Sequence, residues 1–413
     1  VEVRSKTTES RALIEVSWSL AFATEMEVMD RRRFFSLSSA GAVALSAQSS
    51  LVPAAPGDAA RAAEHATAKA ARSAANPPLK ARLGHQMHEA NDANLAFLAR
   101  YGVQGLCASA KIADPSRLYA TADEMKQLRE AVEKHGMTLD MTDSVLLQST
   151  LIDQEHNPSI MLAQSPQRDR DIEAFQNHIR DAAAAGVPCV KYNMSILGVV
   201  RSGVTPGRGD ASYVTWRLKD APADQPLTRA GHVDAEAAWE RITYFLERVV
   251  PVANEYKVRI ACHPQDPGMP PQGYRGVDRV LGTVEGLEKF LSIHESPYHG
   301  LNFCQGTVSE DLTDPGTQIF DVIRRFGRRN KIFNVHFRNI RGHRDDFMEV
   351  FPDEGSVDFV KAIKVYREIG YTGLLMPDHV PKATVGVQGS ELQNFAFAFG
   401  YIRGLIQSEQ HVT

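Results

Sequence analysis

VDFVKAIKVYREIGYTGLLMPDH, residues 357–379, contains a helix pattern followed by a strand pattern. Apolar residues recur at helical spacing from Val357 to Ile369, and the pattern stops at Gly370, as a helix C-terminus should. GLLM follows, a short apolar run bounded by glycine and proline, which reads as a buried strand. That strand delivers an acid, Asp378, and a histidine, His379, side by side at its carboxyl end. Alone, the pair could be a cap or a turn. An unpaired buried charge is costly, so the pair otherwise needs a partner or a task.

The same unit recurs upstream. Short apolar runs lie at ARLGHQM (81–87), VQGLCAS (103–109), MTLDMTDSV (137–145), VPCVKYNM (187–194), VRIACHP (258–264), GLNFCQG (300–306) and IFNVHFR (332–338). Amphipathic segments such as ADEMKQLREAVEKHG (122–136) separate them. Eight strand–helix alternations predict a parallel sheet, and eight is the number that closes a (β/α)8 TIM barrel. The barrel domain is expected over residues 80–408. One connection is out of scale: residues 195–232, after the fourth strand, have no clear element of their own. Loops this long in compact domains are functional or disordered. Tyr213, Trp216 and Arg217 favour an ordered lid here, and GRGD (207–210) needs only a turn.

Composition excludes several classes. The 413 residues are 43% apolar and 23% charged, ordinary for a globular protein. A net charge of −4 gives no general attraction to nucleic acid or an acidic membrane. The basic cluster RRFGRRNK (324–331) lacks the aromatic interleaving of a base-stacking surface and reads as a solvated helix end. Four cysteines do not make a disulfide framework, so Cys107, Cys189, Cys262 and Cys304 each default to a small buried hydrophobe.

The amino-terminal segment reads as a leader. MDRRRFFSLSSAGAVALSAQSS (29–50) has a basic start at Arg31, Arg32 and Arg33, then a weakly apolar Ala/Ser-rich stretch too short and polar to span a membrane. DRRRFF resembles the twin-arginine export signal. Residues 29–75 are therefore expected to be signal peptide and linker, and residues 1–28 to be absent from the mature protein. The expected location is the periplasm, or the cytoplasm if the signal is not used.

Active sites of such barrels lie at the carboxyl ends of the strands. The ends of strands five to eight supply His263, Cys304, His336 and Asp378, spaced by 41, 32 and 42 residues. Any one of these residues is more often structural than ligating. Together they put two imidazoles, a thiolate and a carboxylate on one rim, a set that can hold a divalent ion and leave positions for substrate. Asp378 is then the metal ligand, and His379 is free to move protons beside it.

At these residues the chain resembles the mannonate dehydratases, members of the xylose-isomerase-like metal-dependent barrels. ACHPQDP, FCQGTVSE, NVHFRNI and PDH are similar to that family's four ligand segments, and VKYNMSI to its tyrosine–asparagine segment. The likeness spans roughly residues 80–405. It implies a hydro-lyase that converts D-mannonate, or a related aldonic acid, to 2-keto-3-deoxy-D-gluconate and water. It implies His379 as the proton-transfer group, Tyr192 and Asn193 at the substrate, and manganese as the metal. Ligand softness points instead to zinc or iron, and Fe2+, Co2+ and Zn2+ remain alternatives. Arg338 suits a clamp on the substrate carboxylate, against a structural salt bridge as the plainer reading.

Two positions depart from the family pattern. Met348 stands where the family has a histidine, with Glu349 retained. No tyrosine follows the Asp378–His379 pair before Tyr401, and Tyr213 of the long connection is the available substitute. Two rival functions follow: a sugar or sugar-acid isomerase or epimerase on the same barrel, and a barrel that binds a sugar acid without turnover. Cys304 between two histidine strands argues against the first, and the intact Asp378–His379 pair against the second. The expected partner is a small sugar acid, with no nucleic acid and no stable membrane span, and a homo-oligomer is left open.

Overall fold

The computed structural model describes residues 77–222, 225–269, 273–383 and 390–411. The expected leader, residues 1–75, lies outside the described residues. Eight parallel strands form the centre: β1 (Arg82–Met87), β2 (Gly105–Ala108), β3 (Thr138–Asp143), β4 (Cys189–Asn193), β5 (Arg259–His263), β6 (His299–Cys304), β7 (Ile332–His336) and β8 (Leu374–Met376). Each pairs with its neighbours in sequence, and β8 returns to β1 through Arg82↔Leu374 and Leu83↔Leu375, so the barrel closes. All eight runs anticipated from the sequence are barrel strands.

Strand alternation divides the apolar residues into two layers. Val190, Ile260 and Leu375 face outward into the core shared with the helices. Cys107, Met141, Cys189, Ala261, Phe333, Leu374 and Met376 plug the barrel interior. Phe333 fits because β6 carries Gly300 opposite it: a Cβ there would lie 2.5 Å from the Phe333 ring. Helix starts are set by side chains that accept orphan backbone N–H groups. Asn91, Asp234, Thr283 and Asp358 do so, and Thr121 with Glu124 forms a capping box. The helix Phe359–Glu368 stops before Gly370, whose φ of +68° suits a residue without a Cβ.

The long connection after β4 is ordered. It forms strands Gly203–Pro206 and Ala211–Arg217, and the second is central in an antiparallel five-stranded sheet. That strand pairs with the nearby Gly203–Pro206 and with segments from loops far along the chain, Asp346–Glu349 after β7 and Lys382–Ala383 after β8. Trp216 and Tyr213 are buried in this sheet. A sequence read element by element shows a long loop here, because two of the three pairing strands are more than a hundred residues away. The basic cluster is a surface feature in which Arg324 and Arg328 pair with Glu368, and Arg329 with Glu295. No helix among the described residues is long and apolar enough to cross a membrane.

Candidate functional site

The register of the barrel brings the four rim residues together. Cys304 sits opposite His336, His336 opposite Met376, and His263 opposite Asn193. Asp378 lies two residues beyond Met376. One ligand atom from each of His263, Cys304, His336 and Asp378 lies within 4.8 Å of the other three, and all four residues are buried. His336 Nδ1 and Asp378 Oδ2 are 3.3 Å apart, and Gln86 Nε2 donates to Asp378 Oδ1 at 2.8 Å.

The donor chemistry fits a divalent cation. His263 Nδ1–H donates to the Pro264 carbonyl at 2.6 Å, which leaves Nε2 with its lone pair. Burial lowers His263 to about 4 and so keeps the ring neutral, as a ligand must be. His336 Nδ1 is buried without a hydrogen-bond partner, an arrangement that a metal bond satisfies. Burial pushes the Cys304 thiol up, but the Arg338 guanidinium and the neighbouring His336 outweigh it, and the thiol falls below its usual value. The Thr307 N–H donates to the same sulfur at 3.4 Å. Burial likewise opposes ionisation of Asp378, yet His336 and His379 hold it well below the carboxylate range.

The other cysteines show that burial alone does not produce this. Cys107 and Cys189 are as buried as Cys304, and desolvation raises both, Cys189 to about 12. No arginine contacts their sulfurs in the way Arg338 Nη2 approaches Cys304, at 3.6 Å. They are packing residues, as is Cys262.

His379 lines the cavity beside the four, with Nδ1 2.8 Å from Glu349 Oε1 and Nε2 3.7 Å from Asp378 Oδ2. Burial disfavours its charged form, but Asp378 and Glu349 raise it to about 10. If the Asp378 charge is spent on a cation, the Glu349 contact still favours the protonated ring. Glu349 also accepts from Arg201 and Arg338. Met348, next to it on the strand, points the other way and packs against an apolar cluster with Tyr213 and Phe351. In this chain position 348 does not reach the cavity.

Three expectations need correction. Arg338 is no free clamp: it is 2% exposed, with Nη1 2.8 Å from Glu349 and 2.9 Å from Glu310, and Nη2 2.9 Å from Asp266. With Arg201 it balances three buried carboxyls. Burial and the neighbouring Asp266 push Glu310 well above its usual value. Tyr192 points away from the cavity and packs edge-on against Phe175 and at a tilt against Phe245 in the helical layer. Adjacent strand residues face opposite sides, so Asn193 and Tyr192 cannot both line the site. Asn193 does line it. Tyr213 donates to Glu354 and accepts from the Arg208 N–H at 3.2 Å within the antiparallel sheet, so its hydroxyl is committed there.

The sequence reading missed Gln86, Lys191 and Asp266, all of which line the cavity. Lys191 had a signal: it lies two residues before Asn193 on the same strand and therefore on the same face.

Comparison with known proteins is consistent along most of the barrel. A sequence model of the D-mannonate dehydratase (UxuA) family matches residues 86–225 and 219–413. The mannonate dehydratase of Thermotoga maritima is 32% identical over 294 residues, which cover 62% of this chain and 77% of that protein. Mannonate dehydratase 2 of Halalkalibacterium halodurans is 29% identical over 313 residues, covering 68% of this chain and 86% of that protein. Among solved structures, mannonate dehydratase from Streptococcus suis superposes with a TM-score of 0.68 at 23% identity, over 80% of this chain and 95% of that one. A xylose isomerase domain protein from Planctomyces limnophilus reaches a TM-score of 0.50 at 13% identity, over 81% and 99%, and shares the fold alone.

Proposed function

Because this chain belongs to the D-mannonate dehydratase family, we propose that it is a metal-dependent hydro-lyase that converts D-mannonate to 2-keto-3-deoxy-D-gluconate and water. The observation that carries this reading is the convergence of His263, Cys304, His336 and Asp378 beside His379 in one cavity. Those four residues would hold the metal, and manganese is the ion proposed, with Fe2+, Co2+ and Zn2+ as alternatives. A divalent ion there supplies Lewis acidity toward the charge that develops when the proton at C2 is removed. His379 supplies a proton to the hydroxyl leaving C3, and Glu349 holds the ring for that transfer through Nδ1. Asn193 contributes a polar wall on the β4 side.

The isomerase or epimerase reading is weaker in the structure. Such barrels are expected to surround the ion with more carboxylates, whereas Asp266 and Glu349 are here bound to Arg201 and Arg338. Chelation tests the metal requirement directly. Prolonged treatment with EDTA should abolish keto-acid release from D-mannonate, and manganese should restore it. Full release from protein shown by elemental analysis to be metal-free would sink the proposal. Binding of mannonate by the metal-loaded protein without any release would favour the sugar-acid binder.

The residues from 80 to 408 are proposed to form the mature catalytic unit, with export to the periplasm directed by Arg31 and Arg32. Replacing both by lysine should hold the protein in the cytoplasm, because guanidinium and ammonium are not equivalent to a receptor that reads the arginine pair. Unchanged export of that variant would overturn the assignment.

A further inference from the structure

A sugar acid brings a carboxylate into a cavity already lined by Asp378, with the Cys304 sulfur 3.8 Å from that carboxylate. A buried anion needs a cation or several hydrogen bonds there. The arginines cannot serve. Arg338 and Arg201 are engaged by Asp266, Glu310 and Glu349. Arg279 Nη2 donates to the carbonyls of Gly198 and Asp266, and none of the three arginines lines the cavity. Among the described residues lining the cavity, Lys191 is the sole lysine or arginine, and Ser149, Asn193 and Ser195 line it too.

We propose that Lys191 receives the carboxylate of the substrate and that Asp143 positions it to do so. This rests on the sugar-acid reading above and adds the group that recognises the acid end. Lys191 Nζ lies 3.3 Å from Asp143 Oδ1, and the two side chains are 11% and 4% exposed. An ammonium has three donors, so one contact to Asp143 leaves others for a ligand. Asp143 also sets the height of the chain: it ends β3, directly beside Lys191 on β4 in the sheet register. Burial works against the ammonium, but Asp143, Cys107 and Asp378 together outweigh it and raise Lys191, so the group stays charged. A charged lysine is an anchor and not a base. Its place on the β4 wall, two residues below the Asn193–His263 pairing and within electrostatic reach of His263 and Asp378, would hold one oxygen of the acid end while the other faces the four rim ligands and C2 and C3 face His379.

The test uses the metal-loaded full chain and two variants, Lys191→Met and Lys191→Met/Asp143→Asn. The double variant removes the acid that the single variant would leave unpaired. Both should retain metal content and show a KM for D-mannonate raised about 10–100-fold, with kcat within a few-fold, as for loss of a charge-assisted hydrogen bond made equally in ground and transition states. Calorimetry with D-mannonate and with D-mannitol, which lacks the carboxylate, gives a second readout. The preference of the unmodified protein for mannonate should shrink by the same factor in the variants. A wild-type KM and mannonate preference in the double variant would overturn the proposal and assign any loss in the single variant to the orphaned Asp143. A fall in kcat of a hundredfold or more at unchanged KM would also overturn it, by making Lys191 an acid–base group. If the unmodified protein shows no turnover, the dehydratase reading fails, and the calorimetric comparison still decides the role of Lys191.

Discussion

Replacing His379 by Asn lowers turnover of D-mannonate by about 10²–10⁴-fold, the range for a positioned acid–base group. Metal content barely changes, because the proposed ligands are Asp378 and the three residues that converge with it. Substrate affinity stays within a few-fold, since proton transfer matters mainly in the transition state. Asp378→Asn has a different signature. It removes one of four donors and the charge that faces His336 at 3.3 Å, so metal is lost and activity with it. Elemental analysis, calorimetry and keto-acid release on both variants separate the two roles. Full turnover by His379→Asn would show that another residue moves the proton.

Arg338→Met destabilises the fold by about 3–5 kcal/mol, the cost of breaking a buried ion pair by removing one partner. Arg338 contacts Asp266, Glu310 and Glu349, and Arg201, with His379 at Glu349, would remain to face them. Cys304 loses the cation that favours its thiolate, so metal affinity falls as well. A substrate clamp predicts something else: a raised KM in a protein of unchanged stability. Chemical denaturation of the metal-free protein, with titration of the metal into the folded variant, distinguishes these outcomes. Stability equal to that of the unmodified chain would mean that the buried carboxyls take up protons without cost.

Much of the site could be read along the chain because strand ends in a parallel barrel share one rim. Four residues spaced by about one strand–helix unit therefore had to lie near one another, whichever helices intervened. His379 followed from its neighbour Asp378. Lys191 is legible from the period of β4, whereas the family likeness points to Tyr192, whose parity puts it on the outer face. The apolar ring faces Phe175 and Phe245 because the outer face of β4 is where the helices bury apolar area.

The sequence by itself determined the eight alternating units, the closure of the barrel and the convergence of His263, Cys304, His336 and Asp378. Those features follow from local periodicity and glycine punctuation, which a single chain displays directly. Tertiary structure alone decided what Arg338, Tyr213 and the long connection do. The partners of Arg338 include Asp266, 72 residues away, and Glu349, 11 residues away. Tyr213 bonds Glu354 at a separation of 141 residues. Which charges meet depends on distance through space between loops, and no periodic pattern in the chain records it. Burial then sets the sign of the outcome. It turns an arginine that looked like a substrate clamp into the counter-charge of three acids and of the Cys304 sulfur.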